Sequence, residues 1–425
     1  MKIRIIKYDK KVELEELLEK KLTNIEKVRD TVLKILRDVR KNRDKALFKY
    51  TRKFDKFDID STNIRISGED IKRAYNDIDP DFLNALKIAK KNIERYHRAQ
   101  FRQIRREWKV KTEIGTLGEK ATPIESIGMY IPKGINGYPS TVLMTSIPAK
   151  IAGVNRIVLI SAPPISSATI VAADLCSVDE IYRVAGAQGI AALAHGTESI
   201  GRVDKIVGPG NVYVTAAKML VYGIVDIDIP AGPSEVLIIA DRTANPEFIA
   251  ADILSQLEHD QDAQAVLVTD SSEIAEKTME KIDLQFKSLK NKSTIEKSMK
   301  NSAIIIAQNI KECIEFSNRY APEHLEIMTE NPEGILREIK NAGSIFLGNY
   351  SPVAAGDYVS GTNHVLPTAG TAKFSSCLSV RDFLKFSGIQ NIDREGLKKI
   401  SNTIDRIATY EGFDAHSTAV RIRYK

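Results

Sequence analysis

The chain has 425 residues, 43% hydrophobic and 28% charged, too long for one core and ordinary for a soluble protein of two or more domains. No apolar run approaches a membrane span, and Met1 to Lys7 alternates charged and aliphatic residues instead of forming the apolar centre of a signal peptide. A net charge of +6 does not by itself call for a polyanionic partner, and three scattered cysteines (Cys176, Cys313, Cys377) without metal or redox spacing fit a reducing cytoplasm.

To about residue 112 the pattern is helical and charged. Val28, Val32, Ile35, Leu36 and Val39 form one apolar stripe; Phe82, Leu86, Ala89, Ile93 and Tyr96 form another. Residues 87–111 are strongly basic, with Tyr96, Phe101 and Trp108 among the charges. The spacing predicts a long helix with a solvated cationic face; nucleic-acid binding is the alternative.

From about residue 125 short aliphatic runs alternate with helical segments. Strands are predicted at 156–160, 180–184, 203–207 and 224–229, with helices near 166–176, 188–196 and 211–222 between them. Beyond Pro230-Ala231-Gly232-Pro233 the pattern resumes, with strands at 236–239, 265–268, 303–306 and 344–347 and helices near 246–258, 271–299 and 310–319. The fold class is therefore α/β: two incomplete Rossmann-like domains of parallel-sheet βαβ units, plus small helical N- and C-terminal units. The boundaries are 1–126 for the helical N-terminal region, its latter part joining the first α/β domain, then 127–229 and 230–380 for the two domains. Residues 381–425 form the small C-terminal helical unit.

Candidate chemistry gathers around histidines. Glu323 and His324 are neighbours in Ala-Pro-Glu-His-Leu-Glu, residues 321–326, and offer two proton acceptors of different intrinsic pKa. Neighbours in a strand point to opposite faces, so joint use of the pair predicts a helix start behind Pro322. A solvated surface pair is the alternative. His97 reads as a surface residue of the basic helix, and His195 as a helix C-terminal residue before Gly196.

Gln256 and His259 are three apart and share a helix face. Asp357, in a Gly- and Ala-rich loop after a strand, is the only acid between residues 351 and 376. His416 ends Glu-Gly-Phe-Asp-Ala-His near residue 416. Together Gln256, His259, Asp357 and His416 would offer the mixed nitrogen and oxygen donors that suit zinc; four unrelated polar residues are the alternative.

Gly208-Pro209-Gly210-Asn211 lies between a strand and a helix, where an α/β sheet binds phosphate or a dinucleotide, or simply turns. Asp226 or Asp228 reads as a ribose contact or as a strand-end acid. Tyr130, in Gly-Met-Tyr-Ile-Pro ahead of a second glycine-rich stretch at 134–140, would stack on a planar ring or anchor its loop. Cys176 has no basic neighbour in sequence and reads as a core thiol.

As a set these segments resemble the histidinol dehydrogenase family. They are Gly-Met-Tyr-Ile-Pro (128–132), Val-Asp-Lys-Ile-Val-Gly-Pro-Gly-Asn (203–211), Ala-Gly-Pro-Ser-Glu-Val (231–236), Ser-Gln-Leu-Glu-His (255–259), Ala-Pro-Glu-His-Leu-Glu (321–326), the 355–368 segment through Gly-Thr-Asn-His-Val-Leu-Pro-Thr, and Glu-Gly-Phe-Asp-Ala-His (411–416), in the family's order. Two departures stand out: Ala185-Gly-Ala-Gln-Gly189 where the family pattern is Gly-Gly-Ala-Gln-Ala, and His195 where an aromatic is common.

The resemblance implies oxidation of L-histidinol to L-histidine through L-histidinaldehyde with NAD, the last steps of histidine biosynthesis. It implies zinc held by Gln256, His259, Asp357 and His416. It implies substrate contacts at Ser234, His324 and Glu411 besides those ligands, NAD contacts at Tyr130, Gln188 and Asn211, and Glu323 and His324 as the catalytic acid–base pair. Residues 127–229 would then be the NAD-binding domain and 230–380 the domain carrying metal and catalytic residues. The family's intertwined homodimer implies that the C-terminal unit brings Glu411 and His416 to the partner's site, with no nucleic acid or membrane involved. From pattern alone, the rivals are a zinc hydrolase using Glu323 as base and a nucleic-acid binder using residues 87–111.

Overall fold

The computed structural model describes residues 3–19, 25–134, 137–229 and 232–423. Among these the strands are, in chain order, β1 (Arg4–Lys7), β2 (Glu107–Thr112), β3 (Gly115–Pro123), β4 (Ser126–Ile131), β5 (Arg156–Ser161), β6 (Glu180–Tyr182), β7 (Lys205–Val207), β8 (Asp226–Ile227), β9 (Glu235–Ala240), β10 (Gln264–Thr269), β11 (Ala303–Ile306), β12 (His324–Met328), β13 (Ser344–Leu347) and β14 (Leu384–Ile392). They form two parallel sheets, β6-β5-β4-β7-β8 and β1-β11-β10-β9-β12-β13, and an antiparallel ribbon, β14-β3-β2.

Both parallel sheets are covered on both faces, so their strands are near-continuous aliphatic runs. In β5, Ile157 and Leu159 pack toward the Pro80–Arg102, Pro139–Ala152 and Ser167–Leu175 helices. Val158 and Ile160 face the Glu26–Asp55, Gly186–His195 and Val212–Val221 helices. The second sheet repeats this arrangement. Val236 and Ile238 of β9 face the Pro246–Leu257 and Ser272–Phe286 helices, whereas Leu237 and Ile239 face the Ile310–Tyr320 helix.

Several expectations are corrected. The basic helix ends at Arg102, and residues 107–112 are instead β2, exposed along its whole length. The N-terminal region is not wholly helical: β1 joins the second sheet through β11, while β2 and β3 build the ribbon. The C-terminal unit opens with β14, which pairs with β3, before its two helices, Arg394–Tyr410 and Asp414–Arg421. β2 is exposed along its whole length, β3 is mostly half-buried and β14 mostly exposed, so none carries an apolar run to announce it. The segment 271–299 splits into the Ser272–Phe286 and Lys292–Ser298 helices, with a 3-10 turn at Met299–Asn301. β8 is an edge strand of the first sheet and β9 an interior strand of the second; Pro230 and Ala231 between them, and residues 135–136 of the second glycine-rich stretch, lie outside the described residues.

No helix among the described residues is long and apolar enough to cross a membrane. Cys176 is buried, as expected of a core thiol, and burial pushes it up to about 11.

Candidate active site

Glu323 and His324 stand at the amino end of a strand, not at a helix start. The Ile310–Tyr320 helix ends on Ala321 in the left-handed region (φ 52), and the chain then turns straight into β12. Strand geometry was expected to separate the two side chains. It does not, because Glu323 precedes the strand and both residues close on the neighbouring β9. Glu323 Oε2 accepts the Glu235 N–H at 2.8 Å, and His324 Nδ1 lies 3.1 Å from the Glu235 carbonyl oxygen.

Both side chains are 5% exposed, with Oε2 and Nδ1 3.6 Å apart. The carbonyl partner makes Nδ1 a hydrogen-bond donor and leaves Nε2 as the nitrogen that takes up or gives off the second proton. Nε2 has no hydrogen-bond partner and points toward Asp357, 3.7 Å from its Oδ1. Burial raises Glu323 to about 7 against the pull of His324. Burial would lower His324, but Glu323 and Asp357 outweigh it and shift it upward.

Asp357 lies in a short helix, Val353–Tyr358, not in an open loop. Gly356 makes this possible: a Cβ there would sit 2.7 Å from the Phe346 ring of β13, so only glycine lets the helix lie this close to the sheet. On its other side Asp357 Oδ2 is 3.9 Å from His259 Nε2. His259 follows the Pro246–Leu257 helix, and Gln256 occupies its last turn, 2% exposed, with neither amide atom hydrogen-bonded. Glu323, His324, Asp357, His259 and Gln256 thus converge at the amino edge of the second sheet. Ser234, half-buried, immediately precedes β9.

That edge meets the first half of the molecule through residues 359–368. His364 bridges them: its Nδ1 is 2.9 Å from the Asp357 carbonyl oxygen and its Nε2 3.2 Å from Thr141 Oγ1, in the first turn of the helix after β4. Asn363 Nδ2 donates to the Met144 carbonyl at 2.7 Å, and Thr368 Oγ1 accepts the Gly232 N–H at 2.6 Å. The carboxyl edge of the first sheet is therefore turned toward the amino edge of the second.

On that carboxyl edge Tyr130, near the end of β4, is buried, its hydroxyl against the Gly186 N–H; burial pushes it up to about 12. Gln188, two residues on, is 2% exposed and lies 3.5 Å from Asp55 Oδ2. Asn211 caps the Val212–Val221 helix, its Oδ1 accepting the N–H groups of Tyr213 (3.0 Å) and Val214 (3.2 Å). Gly208 (φ 112) packs so closely that a Cβ would lie 2.2 Å from the Tyr130 carbonyl oxygen.

Neither aspartate of this region is placed for a ribose. Asp228 is buried, paired with Lys218 and accepting the Gly208 N–H at 2.6 Å, while Lys218 Nζ also donates to the Gly208 carbonyl at 2.9 Å. Asp226 pairs with Lys205 at 2.9 Å. Both are strand-end acids, and the Lys218–Asp228 pair locks the glycine turn.

Glu411 and His416 are exposed, at the ends of helices that pack against the ribbon, where Lys399 Nζ donates to the Glu113 carbonyl at 3.3 Å. His416's ring contact is with Phe413 of its own segment. Among the described residues of this one chain no three His, Cys, Asp or Glu side chains cluster as a metal group. His97 is fully buried, not on the surface: Nδ1 meets Gln100 Oε1 at 3.1 Å and Nε2 faces Asn363.

Sequence reasoning missed His364, Lys218 and Glu326 as parts of this architecture. The Asn-His pair at 363–364 was the available signal for the first. Lys218, amid apolar residues of a buried helix, was the signal for the second.

Two parallel α/β sheets meeting edge to edge, with a buried acid–imidazole pair and unpartnered nitrogen and oxygen donors at the meeting line, define an enzyme of Rossmann-like construction. The chain belongs to the histidinol dehydrogenase family, whose model matches residues 18–424. It is 50% identical over 414 residues to the histidinol dehydrogenase of Methanococcus maripaludis, covering 97% of each chain. It is 48% identical over 429 residues to that of Methanocaldococcus jannaschii, covering 100% of this chain and 99% of the relative. The crystal structure of histidinol dehydrogenase from Elizabethkingia anophelis superposes with a TM-score of 0.92 at 42% identity, covering 97% of this chain and 95% of that one. The basic 87–111 segment and the hydrolase chemistry are not favoured by any of these likenesses.

Proposed function

We propose that this chain oxidises L-histidinol to L-histidine by way of L-histidinaldehyde, in two hydride transfers to NAD+, as the last steps of histidine biosynthesis. The observation that carries the reading is a buried Glu323–His324 pair with one open imidazole nitrogen facing Asp357, in a chain that matches the family over residues 18–424.

Zinc fits the donors. A buried amide with no partner costs about 1–3 kcal/mol per unsatisfied group, and Gln256 leaves both its amide atoms so. With His259 and Asp357 it makes a mixed nitrogen and oxygen set suited to that ion. His416 of the partner subunit completes the set in this reading, and Glu411 of the partner subunit binds substrate. In support, both residues are exposed in their own chain and sit at the end of an arm with apolar surface to bury: Tyr410 is 95% exposed and Phe413 52%. In this reading the assembly is an intertwined homodimer and its compartment the cytoplasm. When bound, zinc would hold the substrate's imidazole and amino nitrogens and fix its alcohol carbon toward the nicotinamide.

The rest is done by the chain's own groups. His324 Nε2 takes the alcohol proton as hydride leaves in the first oxidation, and the Glu323 carboxylate 3.6 Å away stabilises the imidazolium. In the second oxidation Glu323, raised by burial toward neutral pH, takes a proton from water as it adds to the aldehyde. His324, having released its first proton to solvent, then takes a proton from the aldehyde hydrate as the second hydride leaves. Ser234 and His324 contact the substrate, and Tyr130, Gln188 and Asn211 hold NAD+ at the carboxyl edge of the first sheet.

The test is purified protein with zinc and L-histidinol, with and without NAD+, followed by NADH absorbance. The expected result is turnover only with NAD+ and its loss on chelation. No NADH from L-histidinol with zinc and NAD+ both present would contradict the reading.

A further inference from the structure

One buried carboxyl group is used by no step above. Glu326 is 1% exposed, two residues after His324 in β12, and so on the same face of the strand. Its Oε1 accepts the Val353 N–H at 2.9 Å. Val353 opens the short helix that carries Asp357. The residue before it, Pro352, has no side-chain acceptor to cap that helix, so Glu326 satisfies a helix-start amide from another element. No N–H or hydroxyl reaches Glu326 Oε2. The Glu326 carboxyl group lies within hydrogen-bonding reach of the carboxyl of Asp252, one helical turn before Gln256 in the Pro246–Leu257 helix.

Two carboxyl groups hydrogen-bond only when one carries a proton. The surroundings supply that condition: burial pushes Asp252 up to about 6 and Glu326 well above the usual carboxylate range. A hydrocarbon side chain would fill the same space, leave the Val353 N–H without its acceptor and remove the link to the half-buried Asp252 carboxyl.

We propose that Glu326 is a positioning residue whose carboxyl group clasps the Pro246–Leu257 helix, which carries Gln256 and leads into His259, and the Asp357 helix onto the strand that carries His324, and so sets the spacing of the metal donors. The inference rests on the zinc reading given above. It assigns to one side chain the geometry that three chain segments must share, and it acts through Gln256, His259 and Asp357 without touching substrate.

The test is zinc affinity by chelator competition on the full-length chain, for wild type, Glu326→Gln, Glu326→Leu and Asp252→Ala. Glutamine keeps both bonds, accepting from Val353 and donating to the Asp252 carboxylate. The expected result is affinity within about threefold of wild type for Glu326→Gln and a loss of roughly 10–100-fold for Glu326→Leu, the range typical of outer-shell partners. Asp252→Ala, which removes one half of the clasp, is expected to lose affinity too and carries the test alone if the leucine variant does not fold. Wild-type affinity in Glu326→Leu or Asp252→Ala, or an equal loss in Glu326→Gln, would overturn the proposal. A wild-type chain that binds no zinc would overturn the metal reading along with it.

Discussion

Glu323 and His324 grip the two backbone polar groups of a single residue, the carboxylate on the Glu235 N–H and the imidazole on the Glu235 carbonyl. This shared anchor fixes the tautomer of His324, keeps its Nε2 open, and holds a second proton acceptor beside it. One consequence is a division of labour between the two oxidations. Glu323→Gln keeps the hydrogen bond from Glu235 but cannot take a proton from water. The expected outcome is a first oxidation within about tenfold of wild type and a second slowed by roughly 10²–10⁴. Rapid-quench assays started from histidinol and from the aldehyde separate the two, and equal loss of both would contradict the assignment.

The Lys218–Asp228 pair is both buried and attached to the Gly208 turn. Lys218→Met removes the cation and leaves an uncompensated carboxylate. Denaturant unfolding should show a loss of about 3–5 kcal/mol. In the variant that still folds, the KM for NAD+ should rise more than that for histidinol, since the turn lies on the first sheet alone. A loss below about 1 kcal/mol would mean that the pair does not hold the turn.

Gly356→Ala tests the close approach behind Asp357. An exposed helical glycine replaced by alanine gains about 1 kcal/mol. Here the new methyl meets the Phe346 ring, so the expected sign is reversed, with a cost of about 1–3 kcal/mol and weakened zinc binding. Phe346→Leu in the same chain should recover much of both. A more stable single variant would show that the helix has room to move.

His97 makes a prediction about pH. Burial holds its pKa below the ordinary 6.5, and its neutral form already donates to Gln100 and faces the Asn363 amide. The unfolded chain therefore binds the proton more readily than the folded one. The stability that His97 contributes is present above pH 6.5 and falls as pH drops below it, by at most about 1.4 kcal/mol per pH unit. His97→Gln should flatten the stability profile between pH 7 and 5; an unchanged slope would mean that His97 titrates alike in both states.

Much of the architecture was legible because strands covered on both faces have little choice of residue. Ile157 to Ile160 and Val236 to Ile239 announce themselves as aliphatic runs. β12 does not, because His-Leu-Glu-Ile-Met carries two ionisable residues into a buried strand. Their partners, Glu235, Asp252 and the Val353 N–H, are remote in sequence, so nothing local marks the segment as buried. His97 was read as a surface residue for the same reason: Asn363 lies 266 positions away. The spacing of Gln256 and His259 was readable as one helix face, because that relationship is local. No ribbon strand is buried along one face, so no periodicity betrays them.

The central claim is that one site performs two successive oxidations on histidinol. The most direct measurement is the number of NADH formed per histidinol consumed, with products separated after complete turnover. The expected result is about two NADH and histidine as the product, with no free aldehyde accumulating. One NADH with the aldehyde released, or histidinol consumed without NADH, would contradict it.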